Sequence, residues 1–293
     1  MRKLIYLLAL ALGMSSMLNS CQELTDPNDS KADVVRPVVH IAMINYTDWD
    51  GSVKDLSPEM YPLMMNFYED STHNEYDVTV KEDLELPERV IYSNFSNCAA
   101  FTPAKFCDKQ EGLGIIHFCL NPVNEVSDIL CATSSLESEC NYYINLKHVL
   151  ARICVNLELA PEYADDSLWI ENPYIKQNPD DKILPSDFDY NLDGKYQENY
   201  YSDIGNIGSF KITKQNKTPI MFYVGPATAS GTVQLSFYIN NIEAKPTTID
   251  IDANQLQSGN TLYIDAYYSH NGLRISDVKL DGWHNNNGGD IDI

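Results

Sequence analysis

Positive charge is scarce in this chain: 20 Lys and Arg stand against 42 Asp and Glu, a formal net charge of −22. A nucleic-acid partner needs phosphate-neutralising cations, so that class is excluded. Such a field keeps a protein soluble and repels anionic membranes and polyanions, but says little about fold. Catalytic signatures are missing too. There is no G-x-S-x-G, no H-E-x-x-H and no phosphate-cradling glycine loop, Gly112-Leu113-Gly114 being too short a pattern to count. Without a constellation of acid, base and nucleophile the chain is not expected to be an enzyme, and no cofactor is expected. No C-x-x-C occurs among the seven cysteines, so neither a zinc ribbon nor a redox pair is signalled. Helical periods of any length are rare, and no apolar run reaches the roughly 20 residues a spanning helix needs.

The chain opens with MRKLIYLLALALGMSSMLNSC. Arg2 and Lys3 precede an apolar run from Leu4 to Leu12, and small and polar residues lead on to Cys21. That is the order of a secretory signal, residues 1–20, and it places the rest of the chain outside the cytoplasm. Leu18-Asn19-Ser20-Cys21 resembles a bacterial lipobox, whose cysteine is lipidated and becomes the mature N-terminus. Several acyl chains on Cys21 would hold the protein to the outer membrane where one chain binds only marginally. Residues 21–33 are polar and acidic, the composition of a solvated tether.

Loss of Arg2 and Lys3 with the signal leaves 18 basic residues against 42 acids, a net charge near −24. Six cysteines remain beyond Cys21: Cys98, Cys107, Cys119, Cys131, Cys140 and Cys154. An exported compartment permits disulfides, and loop pairs such as Cys98 with Cys107 or Cys131 with Cys140 are plausible, with buried thiols the plain alternative. The length suits two β domains, over 34–160 and 161–293, with Pro161 marking the boundary.

Strand signals recur along the chain. Val34–Asn45 reads as a strand with an edge position or late start because of Pro37. Tyr61–Tyr68, Tyr76–Val80, Arg89–Phe95, Gly114–Leu120 and Tyr142–Leu146 continue the series. The period of two is clearest over His148–Leu159, where Val149, Ala151, Ile153, Val155, Leu157 and Leu159 share one face. Residues 161–210 read as long connections with one strand near Leu168–Tyr174. Thr218–Val224, Thr232–Asn241, Thr261–Tyr268 and Leu273–Leu280 form a second series, with turns at Ser258-Gly259-Asn260 and His270-Asn271-Gly272. The class is all-β.

LKHVLARICVNLEL (146–159) and SGNTLYIDAYYSHNGLRISDVKLDGWHNNNGGDIDI (258–293) resemble the fimbrillin family, the type V pilin-like lipoproteins of anaerobic Gram-negative bacteria. The resemblance rests on Leu150-Ala151-Arg152-Ile153, on Gly259 with Tyr263, and on Gly282-Trp283. It implies two transthyretin-like Greek-key β-sandwich domains in tandem, export as a surface-exposed lipoprotein, and a structural or accessory place in a fimbria that contributes to adhesion. It implies pilin-like subunits as partners by strand complementation, in which a donated strand closes an open sheet edge. Stalk precursors of that family are cut after an arginine. Arg36 stands where such a cut would fall, although Pro37 disfavours arginine-directed cleavage and a solvated linker arginine is the plain reading. An uncut chain would stay anchored, in a basal or accessory role.

Other candidates are isolated. Asp189-Tyr190-Asn191-Leu192-Asp193-Gly194 has the first half of a calcium-loop spacing, with alternating oxygen ligands and a turn glycine, but Tyr200 stands where the bidentate Glu belongs. An Asx-rich acidic turn accounts for the same letters. His117 with Cys119, and His148 near Cys154, lack third and fourth metal ligands. Asp165-Asp166 and Asp180-Asp181 read as solvated turns rather than glycosidase carboxylates. Asp70-Ser71-Thr72 and Asp166-Ser167-Leu168 match a short O-glycosylation pattern. Trp49, Trp169 and Trp283 are far apart in sequence, and core packing is their plain use. The alternative function is a surface glycan-binding lipoprotein of a nutrient-uptake system; either role would leave a host or bacterial surface receptor as a further partner.

Overall fold

The computed structural model describes residues 38–281, apart from 70–74, 92–94, 105–106, 111–114, 121–127, 138–139, 192–194 and 207. In the first half the strands are β1 (His40–Thr47), β2 (Val53–Asp55), β3 (Leu63–Tyr68), β4 (Glu75–Val80) and β5 (Asn97–Thr102). They continue with β6 (Cys107–Gln110), β7 (Ile115–Cys119), β8 (Leu130–Ser135) and β9 (Asn141–His148). The second half holds β10 (Ala151–Leu159), β11 (Ser167–Lys176), β12 (Asp187–Asn191), β13 (Lys195–Tyr200), β14 (Ile204–Gly205) and β15 (Ser209–Thr213). It ends with β16 (Thr218–Val224), β17 (Gly231–Ile239), β18 (Ile242–Glu243), β19 (Thr247–Ile251), β20 (Thr261–Ser269) and β21 (Gly272–Asp281). The all-β class is borne out.

Four sheets result. The first has the order β2-β1-β9-β8-β5-β3-β4. Its β8–β9 seam is short, joining Leu130 to His148 and Cys131 to Lys147, so the sheet folds over on itself. Ile44, Tyr142, Ile144 and Leu146 from one part then meet Leu63, Met65, Phe67 and Cys98 from the other in one core. In the second half, β16-β10-β20-β21 packs against the sheet built on β11 and β17, and Ile153, Val155, Ile170, Leu235, Phe237 and Ile264 fill the space between. A small sheet, β13-β12-β7-β6, pairs strands from both halves. Phe188 on β12 reaches a third apolar cluster with Ala99, Phe101 and Leu150.

The described residues thus hold two large apolar cores and a smaller third cluster, and β10 lies with the later strands. β10 pairs with β16 and β20 from Ala151 onward, and Ala151, Ile153, Val155, Leu157 and Leu159 all bury in the second core. Pro161 follows the end of β10 at Leu159. The expected strand at Arg89–Phe95 is corrected: Glu88–Ile91 is one helical turn, and Val90 buries into the first core.

Residues 161–210, expected to be mostly connections, carry β11 to β15. One buried glutamine organises the link between β11 and β12. Gln177 Nε2 donates to the carbonyls of Leu184 (2.6 Å) and Ser202 (2.8 Å), and its Oε1 accepts from Leu184 N–H (3.0 Å). Those bonds satisfy backbone groups that burial would otherwise orphan. The proposed disulfide pairs do not form: Cys98, Cys131, Cys140 and Cys154 are buried thiols. Cys98 faces the first core and Cys131 the third cluster.

Candidate functional site

The edge of the second sandwich is built unlike an ordinary outer strand. β21 is the last strand of its sheet and, among the described residues, pairs only with β20. A register shift between Asp265 and Ala266 puts two residues of β21 opposite one of β20. The bulge changes the side-chain period, so Leu273, Ile275, Val278 and Leu280 share the core-facing side despite their uneven spacing. Arg274, Asp277, Lys279 and Asp281 face the other way. Leu273 is buried and Ile275 half-buried, but Val278 is 47 % and Leu280 39 % exposed. Their cross-strand neighbours, Ile264 and Leu262, are buried. Among the described residues, the opposite sheet thus stops short of the last third of β21 and leaves an apolar, open edge. Long edges of that kind are templates for a further strand.

The two halves are joined at a polar junction. Trp49, in the turn after β1, stacks on His148 with ring centroids 3.8 Å apart and interplanar angle 27°. The Arg152 guanidinium lies 4.0 Å from the centroid of the same indole, a cation–π contact. Trp49 Nε1 donates to Asp128 Oδ2 at 3.0 Å. His148 Nδ1 lies 2.5 Å from the same oxygen. Arg152, on β10 of the second half, also donates its Nε to Thr261 Oγ1 on β20 at 2.8 Å. Burial raises the Asp128 carboxyl above its ordinary range and outweighs the lowering contacts with His148 and Trp49.

The residues singled out from sequence are dispersed. Cys21, Arg36 and Trp283 lie outside the described residues, as do Asp70-Ser71-Thr72 and Gly112 to Gly114. Asp189 and Asn191 sit in β12, and Asp193 is outside the described residues, so the calcium trio is not assembled among those described. Asp189 Oδ1 instead meets His117 Nδ1 at 2.7 Å, across the β7–β12 pairing. Tyr200 sets the edge of its ring against His117, 5.9 Å between centroids. His148 does not approach Cys154 as a ligand partner; it stacks on Trp49. Asp165-Asp166 and Asp180-Asp181 occupy exposed turns. Trp169 is 59 % exposed on the outer side of β11, opposite Lys211. Among the described residues no group of three or more His, Cys, Asp or Glu is placed to hold a metal.

Sequence reading missed both the open edge and the junction. For the edge a signal existed in the L-x-I-x-x-V-x-L spacing, whose extra residue marks a bulge. For the junction none did, because Trp49, Asp128 and Arg152 are brought together only by the fold.

No protein-family model matches the chain, and no curated protein does. Solved structures are similar in fold. A candidate cell adhesion protein from Bacteroides ovatus aligns over 85 % of this chain and 98 % of its own, with TM-score 0.55 and 12 % identity. A candidate cell adhesion protein from Bacteroides uniformis aligns over 84 % and 99 %, with TM-score 0.51 and 12 % identity. At that identity the likeness is one of architecture, and the chain has the fold of these two Bacteroides proteins across most of its length.

Proposed function

We propose that the chain is a fimbrillin-like, surface-exposed lipoprotein of the bacterial outer membrane, a structural or accessory subunit of a fimbria that contributes to adhesion. The observation that carries this reading is the β21 edge, where Val278 and Leu280 face the core side and, among the described residues, are left partly exposed. A strand donated by another pilin-like subunit would pair with the free main chain of β21 and lay apolar side chains over both residues. The fold shared with candidate adhesion proteins supports the same reading, as does the signal and lipobox pattern ending at Cys21. Among the described residues no helix is long and apolar enough to cross a membrane. Anchoring through acyl chains on Cys21 accounts for attachment, and an uncut Arg36 keeps the fold at the membrane in an accessory position. Enzymatic activity forms no part of the proposal.

The deciding experiment is mild detergent extraction from the native membrane followed by crosslinking and mass spectrometry. Crosslinks between β21 and a pilin-like subunit are expected, together with an acylated N-terminal peptide beginning at Cys21. Recovery of the chain as a monomer without such crosslinks overturns the assembly reading.

A further inference from the structure

The side of β21 turned away from the core carries a different chemistry. Register places Asn156 on β10 opposite Asp265 on β20, and Asp265 opposite Asp277 on β21. Two residues along the same face, Tyr263 stands opposite Lys279. Lys217, just before β16, brings its Nζ to 2.5 Å from Asp265 Oδ2, while Asn156 Nδ2 donates to Asp265 Oδ1 at 2.9 Å. On the rim, Lys279 Nζ is 2.8 Å from Asp277 Oδ2. These six side chains line a half-open depression of about 340 Å³.

We propose that this depression binds one ring of a neutral sugar, at the end or branch of a glycan. Two lysines and two aspartates cancel in charge, so the site offers no net field to an ion. An anion would also approach against the chain's net charge of −22. A cation would have to displace the lysines already held by both carboxylates. What the floor and rim demand is a ligand that donates to carboxylates and accepts from ammonium groups within a few ångströms. Lysine is a donor only and ionised aspartate an acceptor only, whereas a hydroxyl does both, so vicinal hydroxyls satisfy the pair where a carboxylate or an amine would not. The Tyr263 ring supplies an apolar body with a polar tip for the C–H face of the ring. The volume falls at the small end of ligand pockets, about 300 Å³, which suits a ring or two. Asp277 and Lys279 are both open to solvent, with side-chain exposures of 47 % and 72 %, so their hydrogen bonds are free to exchange for sugar hydroxyls.

The inference does not depend on the fimbrial reading, because a monomer would bind sugar as well as an assembled subunit. The test uses the full chain, detergent-solubilised and fluorescently labelled, on a printed array of neutral hexose-terminated and sialic-acid-terminated oligosaccharides. Retention on neutral structures is expected, with little on sialylated ones. Lys279→Ala, Asp277→Ala and Tyr263→Ala are each expected to lower that signal roughly tenfold, the loss of one charge-assisted or stacking contact. Lys279 and Asp277 lie at the exposed rim, so an unchanged melting temperature in those two variants separates lost binding from lost folding. Trp169→Ala, on the other sheet, is expected to bind as the parent does. The proposal is overturned by absence of neutral-sugar binding, by a preference for sialylated structures, or by retention that the three depression variants leave intact.

Discussion

Val278 stands directly opposite Ile264 on the core side of one sheet, yet Ile264 is fully buried while Val278 is 47 % exposed. Two neighbours on one face differ because the facing sheet covers β20 and does not reach the end of β21. Full burial of a valine or leucine stabilises by about 1.5–3 kcal/mol relative to exposure, so the uncovered pair retains a gain that only a further element can realise. Main-chain groups along the free side of β21 add directional bonds to that gain. The edge is therefore the place where the isolated subunit is incomplete in hydrophobic terms.

A charge placed there separates assembly from folding. Val278→Lys alters an exposed position and is expected to change the stability of the monomer by no more than about 0.5 kcal/mol. The same lysine would have to be buried beneath a docked strand, so association with pilin-like subunits is expected to fail. Chemical denaturation of the purified monomer gives the first quantity and co-purification from native membranes the second. Unchanged co-purification would mean that β21 is not the docking edge.

The junction between the halves makes a second expectation. Trp49 is held between His148 and Arg152 and donates to Asp128, so Trp49→Ala removes stacking, a cation–π contact and a partner of a partly buried carboxylate together. A loss of about 2–4 kcal/mol is expected, in the range of aromatic truncations. Trp49→Phe keeps a ring between the two neighbours and gives up the donor, which costs about 1 kcal/mol. Urea melts of the three proteins rank them, and an alanine variant as stable as the parent contradicts the junction's structural role.

How much of this was readable beforehand depended on which faces each strand buries. β16, β17 and β20 bury one face, and their period of two, with the His270-Asn271-Gly272 turn ahead of β21, placed all four within a residue or two of their ends. β5 was not readable, since Cys98 and Ala100 enter one core while Ala99 and Phe101 enter another, and a strand buried on both sides has no alternation. β12 and β13 were hidden for the opposite reason. DFDYN and KYQENY are polar enough to resemble loops, and only the pairing of β12 with β7 and of β13 with β12 makes them sheet. Of the candidate site, the strand bearing Val278 and Leu280 was legible, but its open side was not. Exposure of a core-facing residue is set by where a different sheet ends.

Cysteine chemistry supplies a third expectation. Burial pushes the Cys98 thiol up to about 12, which leaves almost no thiolate near neutrality. In the native protein at pH 8 Cys98 is expected to resist iodoacetamide for as long as the fold persists, and to react promptly in denaturant. Peptide mapping after timed alkylation follows this residue by itself. Rapid labelling under native conditions would show that the first core opens locally around β5.

Asp265 provides the last expectation, and its sign follows from its partners. The hydrogen bond from Lys217, with the one from Asn156, holds its carboxyl below the ordinary 3.8 and outweighs the opposing effect of burial. Between the folded value and 3.8 the unfolded chain binds more protons at this position than the folded one, so stability rises with pH across that window. The contribution is present in full above the unfolded value and is lost as pH falls through the folded one. Asp265→Asn keeps the shape and removes the charge, so the gap in melting temperature between parent and variant is expected to be largest above the ordinary carboxylate range and to close as pH falls through the lowered folded value. Asp128 runs the other way: burial raises its pKa, so it favours the folded state on the acid side of its window and Asp128→Asn relieves a loss that grows as pH rises. Melting curves from pH 2 to 7 on both variants test the pair, since the two gaps must change with opposite slope. A parallel response in the two variants would show that the Lys217 contact does not hold Asp265 in its charged form.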